Sequence, residues 1–188
     1  MAQHDADQAT PTNTDEDGYR KGFTWGRAAA IIAVVSMVIF WIWIFSGAPA
    51  KDNPDRLKDE AYVATLEKRC KALRSDLKEL PNAVDLETAT ERADVLDQAN
   101  VIVADFVDDL EAGAPTTGDA AKTMEGWIAD WRTYLENRED YAKRLRKDPD
   151  AQLLLDPSEV GSDSVDKAIE IFTQVNAIPD CATPGDVG

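Results

Sequence analysis

The sequence predicts an all-α protein: one N-terminal transmembrane helix, then a small extracytoplasmic helical bundle of three long helices and one short. Three observations lead there. An uncharged apolar run, Ala28 to Phe45, lies near the N-terminus. Beyond residue 53 the apolar residues recur at spacings of three and four, the signature of helices with one buried stripe. No stretch alternates as a half-buried strand does, and no internal repeat is visible.

Residues 1–21 are rich in Asp, Thr, Gln and Asn and hold a single aromatic, Tyr19. Such a mixture buries too little surface to offset chain entropy, so a disordered cytoplasmic tail is expected.

Residues 22–45 are expected to form the transmembrane helix with its interfacial flank. In the 18 residues from Ala28 to Phe45, Ser36 alone carries a polar side chain. At a rise of 1.5 Å per residue they cover about 27 Å, close to the hydrocarbon thickness of a bilayer. Membrane lipid is therefore the expected surrounding of residues 28–45. Phe23, Trp25 and Arg27 precede or open the run, and Trp41 and Trp43 lie near its far end. Amphipathic rings and charges prefer the head-group level, so these five read as interface anchors. Gly22, Gly26 and Ala30, with Ala29 and Ala33, put small residues four apart, which suits close approach of another membrane protein or a second copy.

Arg20, Lys21 and Arg27 stand before the run and Lys51, Arg56 and Lys58 after it, an even count. Arg27 abuts the apolar stretch, however, whereas Lys51 lies six residues past Phe45, which favours a cytoplasmic N-terminus. Ala48-Pro49-Ala50 has the form of a signal-peptidase site. The long run, its tryptophans and a 27-residue leader of net charge −2 favour an uncleaved anchor in the cell membrane.

Residues 46–53 read as a hinge, where Gly47 and Pro49 interrupt helix. Residues 54–179 form the expected bundle domain. Asn53-Pro54 has the form of a helix cap and first position, and Pro81 stops a helix at Leu80. Leu66, Cys70, Leu73, Leu77 and Leu80 make its stripe. A second helix is expected from Thr88 to Ala112, ended by Gly113. Its inner face is Ala89, Ala93, Leu96, Val103, Val107 and Leu110, interrupted by Asn100. A third is expected from Asp119 to Lys147, with Met124, Ile128, Trp131, Leu135, Ala142 and Leu145 inward and Trp127, Tyr134 and Tyr141 widening the face. Asp148 to Gly161 reads as an irregular connection that packs Leu153, Leu154 and Leu155 down. A short helix from Ser164 to Asn176 offers Val165, Ile169, Phe172 and Val175. Residues 180–188 form a tail.

Cys70 and Cys181 are the two cysteines. Outside the cytoplasm an even pair points to a disulfide, which would tether the tail to the first helix of the domain. The absence of any C-x-x-C spacing speaks against a redox enzyme.

Charge narrows the partners. Beyond residue 46 there are 17 basic and 31 acidic residues. Such a surface repels phosphate backbones, so nucleic acid is not an expected partner. The one histidine is His4, in the tail, which removes the usual general base and the commonest metal ligand from the domain. No catalytic residue, metal or cofactor is expected. Asp148, Asp150, Asp156 and Glu159 occupy ligand positions of a twelve-residue calcium frame, but Leu153 stands where the turn needs glycine and Pro149 is at the second place. Asp105, Asp108, Asp109 and Glu111 load the second helix's C-terminus with negative charge. Lys143, Arg144, Arg146 and Lys147 suit the C-terminal dipole of the third.

Trp127, Trp131 and Tyr134, a turn apart, are a candidate ligand patch between helices. The expectation is a non-enzymatic, membrane-anchored accessory or scaffold subunit of a larger membrane complex. An extracytoplasmic ligand-binding module is the alternative, and a hydrolase working with two converging carboxylates stands last.

Overall fold

The computed structural model describes residues 25–46, 53–159 and 161–184. The chain divides into two compact units, Met1–Ser46 and Gly47–Gly188. Phe23, the expected tail at 1–21, most of the expected hinge at 46–53 and residues 185–188 lie outside the described residues.

In the first unit, helix α1 spans Trp25–Phe45 and buries no side chain. Its mean hydropathy reaches 2.6 over an 18-residue window, and it is long and apolar enough to cross a membrane. That length and composition suit a membrane anchor and a signal sequence alike. Ser46 closes the helix: its amide donates to the Ile42 carbonyl at 2.9 Å and its hydroxyl to the Trp43 carbonyl at 2.7 Å.

The second unit contains α2 (Glu60–Leu77), α3 (Ala89–Ala112), α4 (Gly118–Leu145) and α5 (Val165–Val175), with 3-10 turns at Ala83–Asp85 and Pro179–Cys181. Among the described residues there is no strand, only an isolated antiparallel bridge between Pro157 and Ser164. The helical class read from periodicity is thus observed.

Local chemistry explains the starts of α2 and α3. Thr88 caps α3 in a capping box, its hydroxyl accepting from the Glu91 amide while the Glu91 carboxylate accepts from the Thr88 amide. Two otherwise orphaned donors are satisfied reciprocally. The expected start at Asn53-Pro54 is corrected: α2 begins at Glu60, where the Asp59 carboxylate accepts from the Ala61 and Tyr62 amides. Residues 54–58 are held out of helix because the buried Leu57 amide donates to Asn176 Oδ1 at 2.8 Å. Asn176 Nδ2 donates back to the Asp55 carbonyl at 3.2 Å and to the Phe172 carbonyl at 3.0 Å. The far end of α2 is also shorter than expected, finishing at Leu77 with Lys78 as cap.

Helices α3 and α4 run antiparallel, since partners on α4 fall in number as those on α3 rise. Arg146 meets Asp94 and Asp97, Arg138 meets Asn100, and Arg132 meets Glu111. The main core gathers Leu66, Leu73, Val103, Val107, Trp131 and Ile169 among others. A smaller one holds Ala93, Leu96, Tyr141, Ala142 and Leu145. Along α4 a polar step separates the two, between Tyr134 of the main core and Tyr141 of the smaller. Arg138, fully buried, donates through Nε to Asn100 Oδ1 at 2.9 Å, and its guanidinium lies 5.6 Å from the Tyr134 ring centre. Asn100, an interruption of the stripe in the sequence, is therefore an acceptor for a buried cation, where burial without a partner would be costly.

The connection after α4 is fixed by a reciprocal pair. Asn137 Nδ2 donates to Asp156 Oδ2 at 2.7 Å, and the Asp156 amide donates to Asn137 Oδ1 at 2.8 Å. Of the three leucines expected to pack down, Leu153 and Leu155 do so in part, while Leu154 stays exposed. An extended segment alternates its side chains, so one of three in a row points outward.

Candidate functional site

Helical spacing on α4 brings Thr123, Trp127 and Asp130 to one face, and spacing on α5 does the same for Ala168, Ile171 and Phe172. Between these faces, and closed at one side by Ser158, Gly161 and Asp163 of the connection, lies a groove of about 370 Å³. Asp55 and Lys122 complete its rim. The floor is aromatic: Trp127 and Phe172 stack with ring centres 4.4 Å apart and planes at 21°.

Asp130 is buried in this groove beside Ser158, each with 5% of its surface exposed. Burial pushes its carboxyl above the ordinary carboxylate range. A hydrogen bond from Ser158 pulls it down, and the negative charge of Glu159 pushes it up again. Removal from water disfavours the charged form, and a like charge nearby adds to that.

The three residues of the expected ligand patch fall in different settings. Trp127 lines the groove. Trp131 is fully buried among Phe106, Trp127 and Tyr134, in edge-to-face contacts at 5.2, 6.1 and 5.8 Å. Tyr134 is buried beside Arg138. Offset and edge-to-face pairs of this kind add packing energy beyond area alone. Within the patch, then, all three rings belong to the core, and Trp127, 3% exposed, is the one that also lines the groove. The indole Nε1 atoms of Trp127 and Trp131 find no acceptor among the described residues. Asp130, Asp163 and Ile171, absent from the expected patch, also line the groove. The spacing of Trp127 and Asp130 places them on one face, but nothing in the sequence signals that this face meets the connection.

The sulfurs of Cys70 and Cys181 are joined as a disulfide, with Cα atoms 4.9 Å apart and both residues fully buried. A second clamp sits one turn along α2. Arg74 donates through Nε to the Asp180 carbonyl at 3.1 Å, and through Nη2 to the Ala182 and Thr183 carbonyls at 2.8 and 3.3 Å. The tail is thus held to α2 by a covalent bond and a guanidinium together.

Of the interface residues read from the sequence, Trp25 and Arg27 occupy the first turn of α1 and are exposed, as are Trp41 and Trp43 toward its far end. Trp41 stacks on Phe45 with ring centres at 5.6 Å. The acidic end of α3 is met by two arginines. Arg69 donates to the Asp109 carbonyl at 2.7 Å, and Arg132 pairs with the Glu111 carboxylate. At the end of α4, Arg144 pairs with Asp140 at 2.7 Å, and Arg146 bridges Asp94 and Asp97 at 2.6 Å each. Among the described residues, no group of three His, Cys, Asp or Glu is arranged to hold a metal.

Comparison of the chain with protein-family models, with curated proteins and with solved structures gives no match in any of the three.

Proposed function

We propose that the chain is a single-pass protein of the cell membrane, with its N-terminus in the cytoplasm and an extracytoplasmic helical bundle serving as a non-enzymatic accessory or scaffold subunit of a larger membrane complex. The observation that carries this reading is α1, a 21-residue apolar helix with no buried side chain. Water would make that surface costly, and lipid or another membrane helix removes the cost. The disulfide supports an oxidising side for the second unit. A domain whose tail is tied off by a cross-link and an arginine clamp suits a rigid presenting surface.

The test is extraction in mild detergent at native expression, followed by affinity purification. A stable stoichiometric partner is the expected result; the chain recovered alone argues against a subunit role. Labelling of the thiols in intact and lysed cells, with and without reductant, checks sidedness. Reaction in intact cells only after an impermeant reductant is expected.

A second reading, an extracytoplasmic ligand-binding module, is favoured by the groove between α4 and α5. Its volume of about 370 Å³ falls at the lower end of small-molecule sites.

A further inference from the structure

We propose that the groove between α4 and α5 binds an organic cation, an ammonium or guanidinium group carried on an apolar stem. This rests on the ligand-binding reading and names the ligand class for it.

The lining has two halves. One is apolar, built by the stacked pair Trp127 and Phe172 with Ile171 beside them. Ile171 remains 46% exposed, whereas Val165, Ile169, Phe172 and Val175 of the same helix are buried. A methylene chain lying against this wall would remove apolar surface from water. The other half is acidic. Asp55, Asp130 and Asp163 line the groove against one base, Lys122.

Asp130 is where the two halves meet. It stands on α4 one turn from Trp127, is buried, and takes a hydrogen bond from the Ser158 hydroxyl. An ionised carboxylate offers about four acceptor positions, so one hydroxyl leaves capacity over. Burial and Glu159 both disfavour its charge, and a cation seated beside it offsets both at once. Charge-assisted hydrogen bonds from nitrogen to carboxylate are among the strong ones. An anionic ligand would meet repulsion from three carboxylates. A bare divalent ion lacks its ligand set, since no group of three acidic or imidazole ligands converges among the described residues, and it would leave the apolar wall unused.

The cation has two possible origins, a free small amine or a lysine or arginine side chain of another protein. Calorimetric titration of the oxidised full-length chain in detergent micelles at low ionic strength separates them. The free probes are 1,5-diaminopentane and agmatine, with 1,5-pentanediol and glutarate as neutral and anionic counterparts. The peptide probe is an end-blocked glycine-rich peptide with one lysine.

The expected result is saturable binding of both amines and none of the diol or glutarate. Asp130→Asn and Asp163→Asn should each weaken the amines about tenfold to a hundredfold, the range for a hydrogen bond to a charged group. Asp108→Asn, which removes an exposed acid of α3 outside the groove, should leave binding unchanged. The Asp163 variant keeps the test decisive if the Asp130 variant folds poorly. A peptide that binds at least as tightly as the amines assigns the site to a partner's side chain; exclusion of the peptide assigns it to a free amine. Equal binding of diol and amine overturns the cation and leaves a binding groove standing. No binding by any probe tighter than about 10 mM overturns both. Amine binding that Asp130→Asn and Asp163→Asn change no more than Asp108→Asn overturns the location.

Discussion

Ala177 follows the last turn of α5 with φ at 55°, in the left-handed region that disfavours a Cβ. The reason it is held there is a pair of bonds that close the helix. The Ile178 amide donates to the Thr173 carbonyl at 3.0 Å and the Ala177 amide to the Gln174 carbonyl at 3.3 Å, the arrangement in which glycine is usual. Ala177→Gly is expected to raise the unfolding free energy by about 0.5–1 kcal/mol, less whatever the freer unfolded chain takes back. Denaturant titration checks it. Asp130 gives a pH-dependent counterpart. Its carboxyl is held above the ordinary value in the folded chain, so the native state binds the proton more tightly than the unfolded state. Stability contributed by that proton is present below the unfolded value and is lost as pH rises through the folded one. Asp130→Asn keeps an acceptor for Ser158 and removes the titration. Unfolding curves of both proteins across the acidic range should show the variant gaining on the parent as pH rises through that window, then a constant difference. Neither residue is conspicuous in the sequence. Ala177 looks like an ordinary helix former, and Asp130 is one of 36 acidic residues whose burial depends on which face the connection covers.

Helix boundaries set by neighbours in sequence were readable, and those set by distant partners were not. Thr88 and Glu91 are three residues apart, so the start of α3 is written locally. Asn53-Pro54 has equally good local form, yet α2 starts at Glu60 because Leu57 is drawn to Asn176, 119 residues away. Propensity is a weak preference beside a buried backbone bond. Asn176→Ala is expected to cost about 2–3 kcal/mol, for it strands the Leu57 amide and removes two further bonds. Hydrogen exchange at Leu57 should accelerate with it. A retained protection factor there would place the hold on this segment elsewhere. The same logic separates Trp127 from Trp131. A four-residue spacing gives both one stripe, and only the packing of Phe106 on one and Phe172 on the other decides which ring reaches the groove.

At the scale of the second unit, the cross-link between α2 and the final 3-10 turn closes a span of 111 residues. In the chain-entropy account, a loop of that size restricts the unfolded ensemble by about 5 kcal/mol, comparable with the whole stability of many domains. Cys70→Ala with Cys181→Ala, or reduction, should lower the unfolding free energy by up to about that amount, with Arg74 retaining part of the tail's contacts. Calorimetry with and without reductant measures it. Two cysteines leave one partner choice, so the pairing was legible in the sequence once an oxidising location was assumed. The arginine clamp beside it had no such signature, since arginine on a helix usually faces water.

That bond also governs how the polypeptide carries mechanical load. Tension entering before Cys70 and leaving after Cys181 crosses from one to the other through sulfur, so the three helices between are spared from stretching. Up to roughly 400 Å of extensible backbone remains stored behind the cross-link until a reductant releases it.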